Sequence, residues 1–335
     1  MKSNCLISIS IFSCACVFLQ EIIFFQPASH QSWAFRFFKT ILKLPWQSAF
    51  MELGAFARLT RIEHGFMLAL AAAIGIIVAQ GSVPSLSFLF LAALPPFFIE
   101  LASFSLNDLL DVKSDRINKR TDRPLVSGDA SRNEALDIAV VGFAAGNAIA
   151  YLISWPAFAI SLVFSLLAIA YNVKLKDLAV LGNFYIALTM AIPFAYGSII
   201  AAGAITNDAA ILASIAFVVG LAREIMKTVQ DVEGDRRGRN AKTLPMLIGI
   251  HNSLYLASFL YLFAIVLSYF PYASAASAYH NNLAYALPVA ITGALLLYVA
   301  YGCALRGRLF LKQGRSISLL ALGIGLLGFL AGAVY

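Results

Sequence analysis

The sequence predicts an all-α, polytopic membrane protein, and three observations carry that prediction. Of 335 residues, 61% are hydrophobic and only 12% charged, with a mean hydropathy of +0.83. A soluble domain runs at about 45–50% apolar and about 25% charged, so this chain has too little polar surface to coat itself in water. The apolar residues fall in unbroken runs near the length of about 20 that a spanning helix needs, rather than in the alternating pattern of a barrel strand. Finally, Lys and Arg fill some of the connections between runs and are missing from the others.

In chain order, apolar segments fall near 62–80, 85–106, 134–153, 156–171, 179–202, 208–226, 252–271, 282–303 and 316–334, which is nine spans. Their connections form two sets. Those around 107–133, 172–178, 223–251 and 304–315 are charged and hold eighteen of the 24 Lys and Arg. Those around 81–84, 154–155, 203–207 and 272–281 hold none, and the remaining six basic residues precede the first span. The positive-inside rule places the charged set in the cytoplasm and, with nine spans, Tyr335 on the outer face. The net charge of +7 therefore reads as topology rather than as nucleic-acid binding, and no protein partner is evident.

Residues 1–50 form an extension of open status. The stretch from Cys5 to Phe25 is apolar but interrupted by Gln20 and Glu21, so it fits a signal-like region, an extra span, or sequence upstream of a start at Met51. The domain proper is expected over 51–335. Three of four cysteines, Cys5, Cys14 and Cys16, lie in this extension and Cys303 stands alone, which gives neither a disulfide framework nor a zinc site.

The 17 acidic residues concentrate in two places. One is "NDLLDVKSDRINKRTDRPLVSG" from Asn107 to Gly128, the other "REIMKTVQDVEGDRRGRNAKTLPMLIG" from Arg223 to Gly249. Asn107, Asp111 and Asp115 stand at i, i+4 and i+8, so a helix continuing out of the membrane lines their oxygens on one face; Asp231 and Asp235 repeat the i, i+4 pair. Carboxylates held this close call for a cation, and hard oxygen ligands suit Mg²⁺, which binds through one or two carboxylates plus substrate phosphates. Two facing clusters thus predict a diphosphate site. Glu100 and Glu224 each lie seven residues, two helical turns, before their clusters. Each either faces a polar cavity or pairs with a basic residue; Glu100, within "PPFFIELASF", is costly unless it does one of these.

These two motifs resemble those of the UbiA superfamily of intramembrane prenyltransferases, NxxxDxxxD and DxxxD, and the likeness extends into "DRINKRTDRPLVSG" and into "DVEGD" followed by "KTLP". With "YNVKLKDLAVLGN" from Tyr171 to Asn183, the chain is most similar to the archaeal digeranylgeranylglyceryl phosphate synthases, over about residues 55–335. The resemblance implies nine helices bundled around a central cavity, with two Mg²⁺ held by Asn107, Asp111, Asp231 and Asp235 at its cytoplasmic mouth, helped by Asp108 and Asp115. It implies transfer of a geranylgeranyl group from its diphosphate to the hydroxyl of geranylgeranylglyceryl phosphate, a lipid-like acceptor. Candidate phosphate contacts are Arg116, Arg120, Lys174, Arg223 and Lys227; Tyr171 orients substrate or sits in an interfacial aromatic belt. Lys176, Arg236, Arg237, Arg239 and Lys242 either meet an acceptor phosphate or serve topology and lipid headgroups. At "RIEHGF" the chain departs from the R-P-x-N pattern of members with aromatic acceptors, Ile62 and His64 replacing Pro and Asn. The competing readings are prenyl transfer to an aromatic ring, using the same diphosphate site, and a cation transporter, which the placement of the acids at span ends rather than mid-membrane disfavours.

Overall fold

The computed structural model describes residues 51–239 and 242–335; the extension at 1–50, and with it the question of a start at Met51, lies outside the described residues. The chain forms α1 (Leu53–Thr60), α2 (Ile62–Gln80), α3 (Leu86–Ile117), α4 (Pro124–Ser127), α5 (Arg132–Ile153), α6 (Trp155–Val173), β1 (Leu178–Ala179), α7 (Leu181–Ala202) and α8 (Asn207–Arg239). It continues through β2 (Lys242–Thr243), α9 (Leu244–Ile248), α10 (Ile250–Leu267), α11 (Tyr269–Ala273), α12 (Leu283–Arg306) and α13 (Leu311–Val334).

Eight segments are long and apolar enough to cross a bilayer, and the last of them, Leu283–Val334, is 52 residues long. A 3₁₀ turn at Gly307–Phe310 divides it into α12 and α13, which pack on each other, so nine long helices lie among the described residues. Local signals set the ends. Ser131 and Glu134 form a reciprocal capping box at the start of α5, Ser85 and Ser154 cap α3 and α6, and Asn282 caps α12. Gly81 and Gly203, with φ of 68° and 73°, close α2 and α7 in the left-handed region.

Two helices exceed the rest. α3 has 32 residues and α8 has 33, about 48–50 Å at 1.5 Å per residue, against a hydrocarbon core of about 30 Å. Segments read from sequence as charged connections, 107–117 and 227–239, are therefore helical projections of these two spans. Charged residues spaced at i, i+4 leave the backbone hydrogen bonds intact, so polarity ends the span without ending the helix.

Most neighbours in sequence are neighbours in space, with α2 also packed on α7 and α8 on α10. α13 returns to α2 and α8, and α3 reaches α8, which closes the bundle and brings the two projecting helices together. The main buried cluster joins α2, α7, α8, α10, α12 and α13, with Ile74, Phe194, Leu212, Ile225, Met226 and Tyr261 at its centre. At the projecting end, Leu59, Leu109, Val112, Leu125 and Ala135 bind α1, α3, α4 and α5. α2 and α7 meet at glycines: a Cβ on Gly197 would strike the carbonyl oxygen of Ala72, and one on Gly75 that of Phe194. Large apolar side chains such as Phe259, Phe263, Val266, Leu297 and Leu320 face outward, as lipid contact requires.

Candidate active site

The acids stand at the projecting ends of α3 and α8. On α3, Asn107 Nδ2 donates to Asp111 Oδ2 at 3.1 Å and to Asn172 Oδ1, on α6, at 2.9 Å. Asn172 is itself fixed, its amide donating to the carbonyls of Ala168 at 3.0 Å and Ser103 at 3.3 Å. Lys176, in the 3₁₀ turn after α6, places Nζ 2.6 Å from Asp111 Oδ1, with its side chain 7% exposed. Asp115 lies one turn further out, 4.0 Å from Arg123 Nε. On α8, Asp231 is half-buried and Asp235 buried.

A two-residue parallel pairing helps join the two sides. Leu178 pairs with Lys242 and Ala179 with Thr243, so the connection carrying Lys174 and Lys176 is stitched to the one that follows α8. Arg120 donates twice to Asp122, both bonds 3.0 Å, and this holds the Asp122 carboxyl below the usual carboxylate range. The same bonds raise Arg120 above its ordinary value, and the charges of Asp231 on α8 and Asp115 on α3 add to that, which places its guanidinium in the field of both clusters.

The remaining residues singled out from sequence occupy varied positions. Asp108, expected beside the metal-binding acids, is 1% exposed and enclosed between Arg61 at 2.7 Å and Arg123 at 2.9 Å. Its neighbour position on α3 turns it toward α1 and α2, so its carboxylate organises two guanidiniums. Glu224 takes the ion-pair alternative, receiving Lys227 Nζ at 3.0 Å. Arg116 and Lys174 are exposed at the rim. Arg223 is half-buried, its Nε without a hydrogen-bond partner among the described residues. Tyr171 is buried and stacked on Tyr185, ring centroids 4.8 Å apart at 27°. His64 packs on Phe104, which also carries the Arg61 guanidinium 4.1 Å from its ring centre. Arg236 and Lys242 are exposed; the side chains of Arg237 and Arg239 lie outside the described residues. Sequence reasoning missed Asn172, Arg61, Arg123 and Tyr185, and offered Lys176 an acceptor phosphate or a role in topology and lipid headgroups, not the Asp111 carboxylate it meets. Asn172 had a visible signal, an amide beside Tyr171 at the end of an apolar span.

The donor set fits Mg²⁺. It offers carboxylate and amide oxygens from two helices, and the Lys176 ammonium already lies where a cation neutralises Asp111. Among the described residues no three His, Cys, Asp or Glu converge into a closed cage. An ion that keeps waters and completes its shell with phosphate oxygens needs none.

Two cavities lie deeper. One runs between α2, α3, α6 and α7 and is lined by Glu100, Ser103, Tyr185 and Tyr196 among others. Ser103 stands one turn below Asn107, so this space opens directly beneath the first cluster. The other is lined by apolar residues of α2, α7, α8, α10, α12 and α13, among them Met67, Phe194, Val219 and Leu296. Leu68 borders both.

Comparison with known proteins gives a consistent set of relatives. The profile of the UbiA prenyltransferase family matches residues 68–308. The digeranylgeranylglyceryl phosphate synthase of Archaeoglobus fulgidus is 41% identical over 278 residues, covering 82% of this chain and 94% of that protein. A solved structure of a digeranylgeranylglyceryl phosphate synthase in membranes superposes with a TM-score of 0.64 at 26% identity, over 84% of this chain and 98% of the other. A UbiA homolog from Archaeoglobus fulgidus bound to GPP and Mg²⁺ shares the fold, with a TM-score of 0.55 at 19% identity over 82% of this chain and 99% of that one.

Proposed function

The chain belongs to the UbiA prenyltransferase family, and from that premise we propose that it transfers a geranylgeranyl group from geranylgeranyl diphosphate to the free hydroxyl of geranylgeranylglyceryl phosphate, releasing diphosphate. The observation that carries this reading is the 41% identity, over 94% of its length, to a protein of that activity. The domain that does so is 51–335.

Asn107 and Asp111 from α3, with Asp231 and Asp235 from α8, hold two Mg²⁺. When bound, the metal supplies Lewis-acid stabilisation of charge on the departing diphosphate. Lys176 keeps the Asp111 carboxylate compensated and in place. Arg120, in the field of both clusters, meets the diphosphate oxygens, with Arg223 and Lys227 beneath it and Arg116 and Lys174 at the rim. Asn172 fixes the Asn107 amide so that its oxygen keeps one direction. Tyr171 and Tyr185 present a stacked aromatic pair between the mouth and the cavity below, where a π-face favours an allylic cation. The apolar walls hold the isoprenoid tails and exclude water, which would otherwise capture that cation. The charged connections, and the mouth with them, face the cytoplasm; the one-sided distribution of Lys and Arg supports this.

The test uses membranes carrying the full chain, labelled geranylgeranyl diphosphate and geranylgeranylglyceryl phosphate, with Mg²⁺ present or chelated. A labelled diether phosphate that forms only with the metal supports the proposal. Absence of that ether, with the protein folded and Mg²⁺ saturating, refutes it.

A further inference from the structure

Among the described residues, Glu100 is the one acid of α3 that neither the proposed metal-binding cluster nor an ion pair uses. It stands within an apolar helix, is half-buried, and lines the cavity between α2, α3, α6 and α7. Among the described residues no hydrogen bond or ion pair reaches it, and the only charged group acting on it appreciably is Arg61, whose guanidinium already holds Asp108. An ionisable side chain left unpaired at membrane depth is expensive, and such groups persist where they meet substrate. Tyr196, another lining residue and 3% exposed, has a buried hydroxyl with no hydrogen-bond partner among the described residues. An unpaired carboxyl lining a cavity points to a polar ligand atom there.

The depth suits the chemistry. Glu100 lies seven residues before Asn107 on the same helix, about 10 Å along the axis. A diphosphate held at the clusters places its reacting carbon below them, and Tyr185, stacked under Tyr171, lines the same cavity as Glu100. An acceptor hydroxyl that attacks that carbon sits between the diphosphate and Glu100. The other cavity offers no comparable group, its lining being almost wholly apolar.

We propose that Glu100 is the general base of the transfer: its carboxylate accepts the proton of the acceptor hydroxyl, and the α2–α3–α6–α7 cavity is where that hydroxyl enters. The allylic carbon–oxygen bond breaks with its electron pair leaving on diphosphate, the acceptor oxygen forms the new ether bond to that carbon, and its proton passes to a Glu100 carboxyl oxygen. Water takes the proton once product has left. This rests on the transfer to an alcohol proposed above, and it adds the acceptor's position and the destination of its proton.

The test is Glu100→Gln in the full chain, read in two assays. Ether formation is expected to fall about 10²- to 10⁴-fold, the range of a lost general base. Slow, acceptor-free release of diphosphate from the donor and the donor KM are expected to stay at the wild-type level, which a merely structural lesion would not allow. An acceptor analogue with a thiol in place of the hydroxyl needs the base far less, since a thiol ionises near pH 8.5, and is expected to narrow the deficit at least tenfold. Should the Gln variant not fold, Glu100→Asp gives the same comparison, losing ether formation but not acceptor-free release. Ether turnover within about threefold of wild type, or equal loss in both assays, overturns the base role. A wild-type enzyme that makes no ether refutes the acceptor reading instead, and the role of Glu100 on that hydroxyl with it.

Discussion

Asp108→Asn separates a structural carboxylate from those beside it that we propose bind metal. Asp108 is 1% exposed and serves two guanidiniums, Arg61 at 2.7 Å and Arg123 at 2.9 Å, whose side chains are 19% and 12% exposed. At a charge separation of about 4 Å and an effective dielectric near 20, each pair is worth about 4 kcal/mol before desolvation. Removing the shared anion leaves two like charges facing each other with little water to screen them, while the variant is spared the desolvation of a carboxylate. The balance is the usual result of deleting one partner from a buried pair, a destabilisation of about 3–5 kcal/mol. Thermal unfolding of the purified protein in detergent is expected to show a clearly lowered midpoint. The fraction that remains folded at low temperature is expected to keep Mg²⁺-dependent turnover within about tenfold of wild type. An unchanged midpoint together with abolished turnover would refute the reasoning and put Asp108 back among the metal ligands.

Asp111→Ala or Asp235→Ala is expected to abolish turnover at any Mg²⁺ concentration while the protein still inserts and unfolds cooperatively; substantial activity at saturating metal contradicts their role. Gly197→Ala drives a methyl group into the Ala72 carbonyl of α2, where neither backbone can yield cheaply. A loss of about 1–3 kcal/mol or more is expected from such overpacking, seen as a lower unfolding midpoint, and unchanged stability would show that the seam opens freely. A cysteine engineered at Lys113, on the exposed face of projecting α3, is expected to react with an impermeant thiol reagent only from the cytoplasmic side of oriented vesicles, and labelling from outside contradicts the assigned topology.

What could be read from the sequence follows from which interactions are local. The long apolar helices were visible because hydropathy is summed over contiguous residues, and the helical face of Asn107, Asp111 and Asp115 because i, i+4 spacing is a property of one segment. The extension of α8 to Arg239 was harder: polarity marks where a span leaves the membrane and carries no signal for where its helix stops. The partner of Asp111 was hidden for a different reason. In a basic connection Lys174 and Lys176 look alike, and only the turn after α6 aims one at the site and leaves the other at the rim. Asp108 with Arg61 and Arg123, separated by 47 and 15 residues, and the pairing of Ala179 with Thr243 likewise exist only once distant segments meet. Glu100 was legible as an anomaly, and the structure gives it a cavity and, among the described residues, no partner.

The central claim is that the acid-bearing mouth of α3 and α8 directs a prenyl group onto a phosphate-bearing lipid alcohol. Its most direct test is a competition: the full chain in membranes, Mg²⁺ and labelled geranylgeranyl diphosphate, with geranylgeranylglyceryl phosphate and an aromatic acid offered together. Label appearing in the diether phosphate, and not on the ring, is the predicted result. Label on the aromatic ring would contradict the acceptor assignment while leaving the diphosphate site in place.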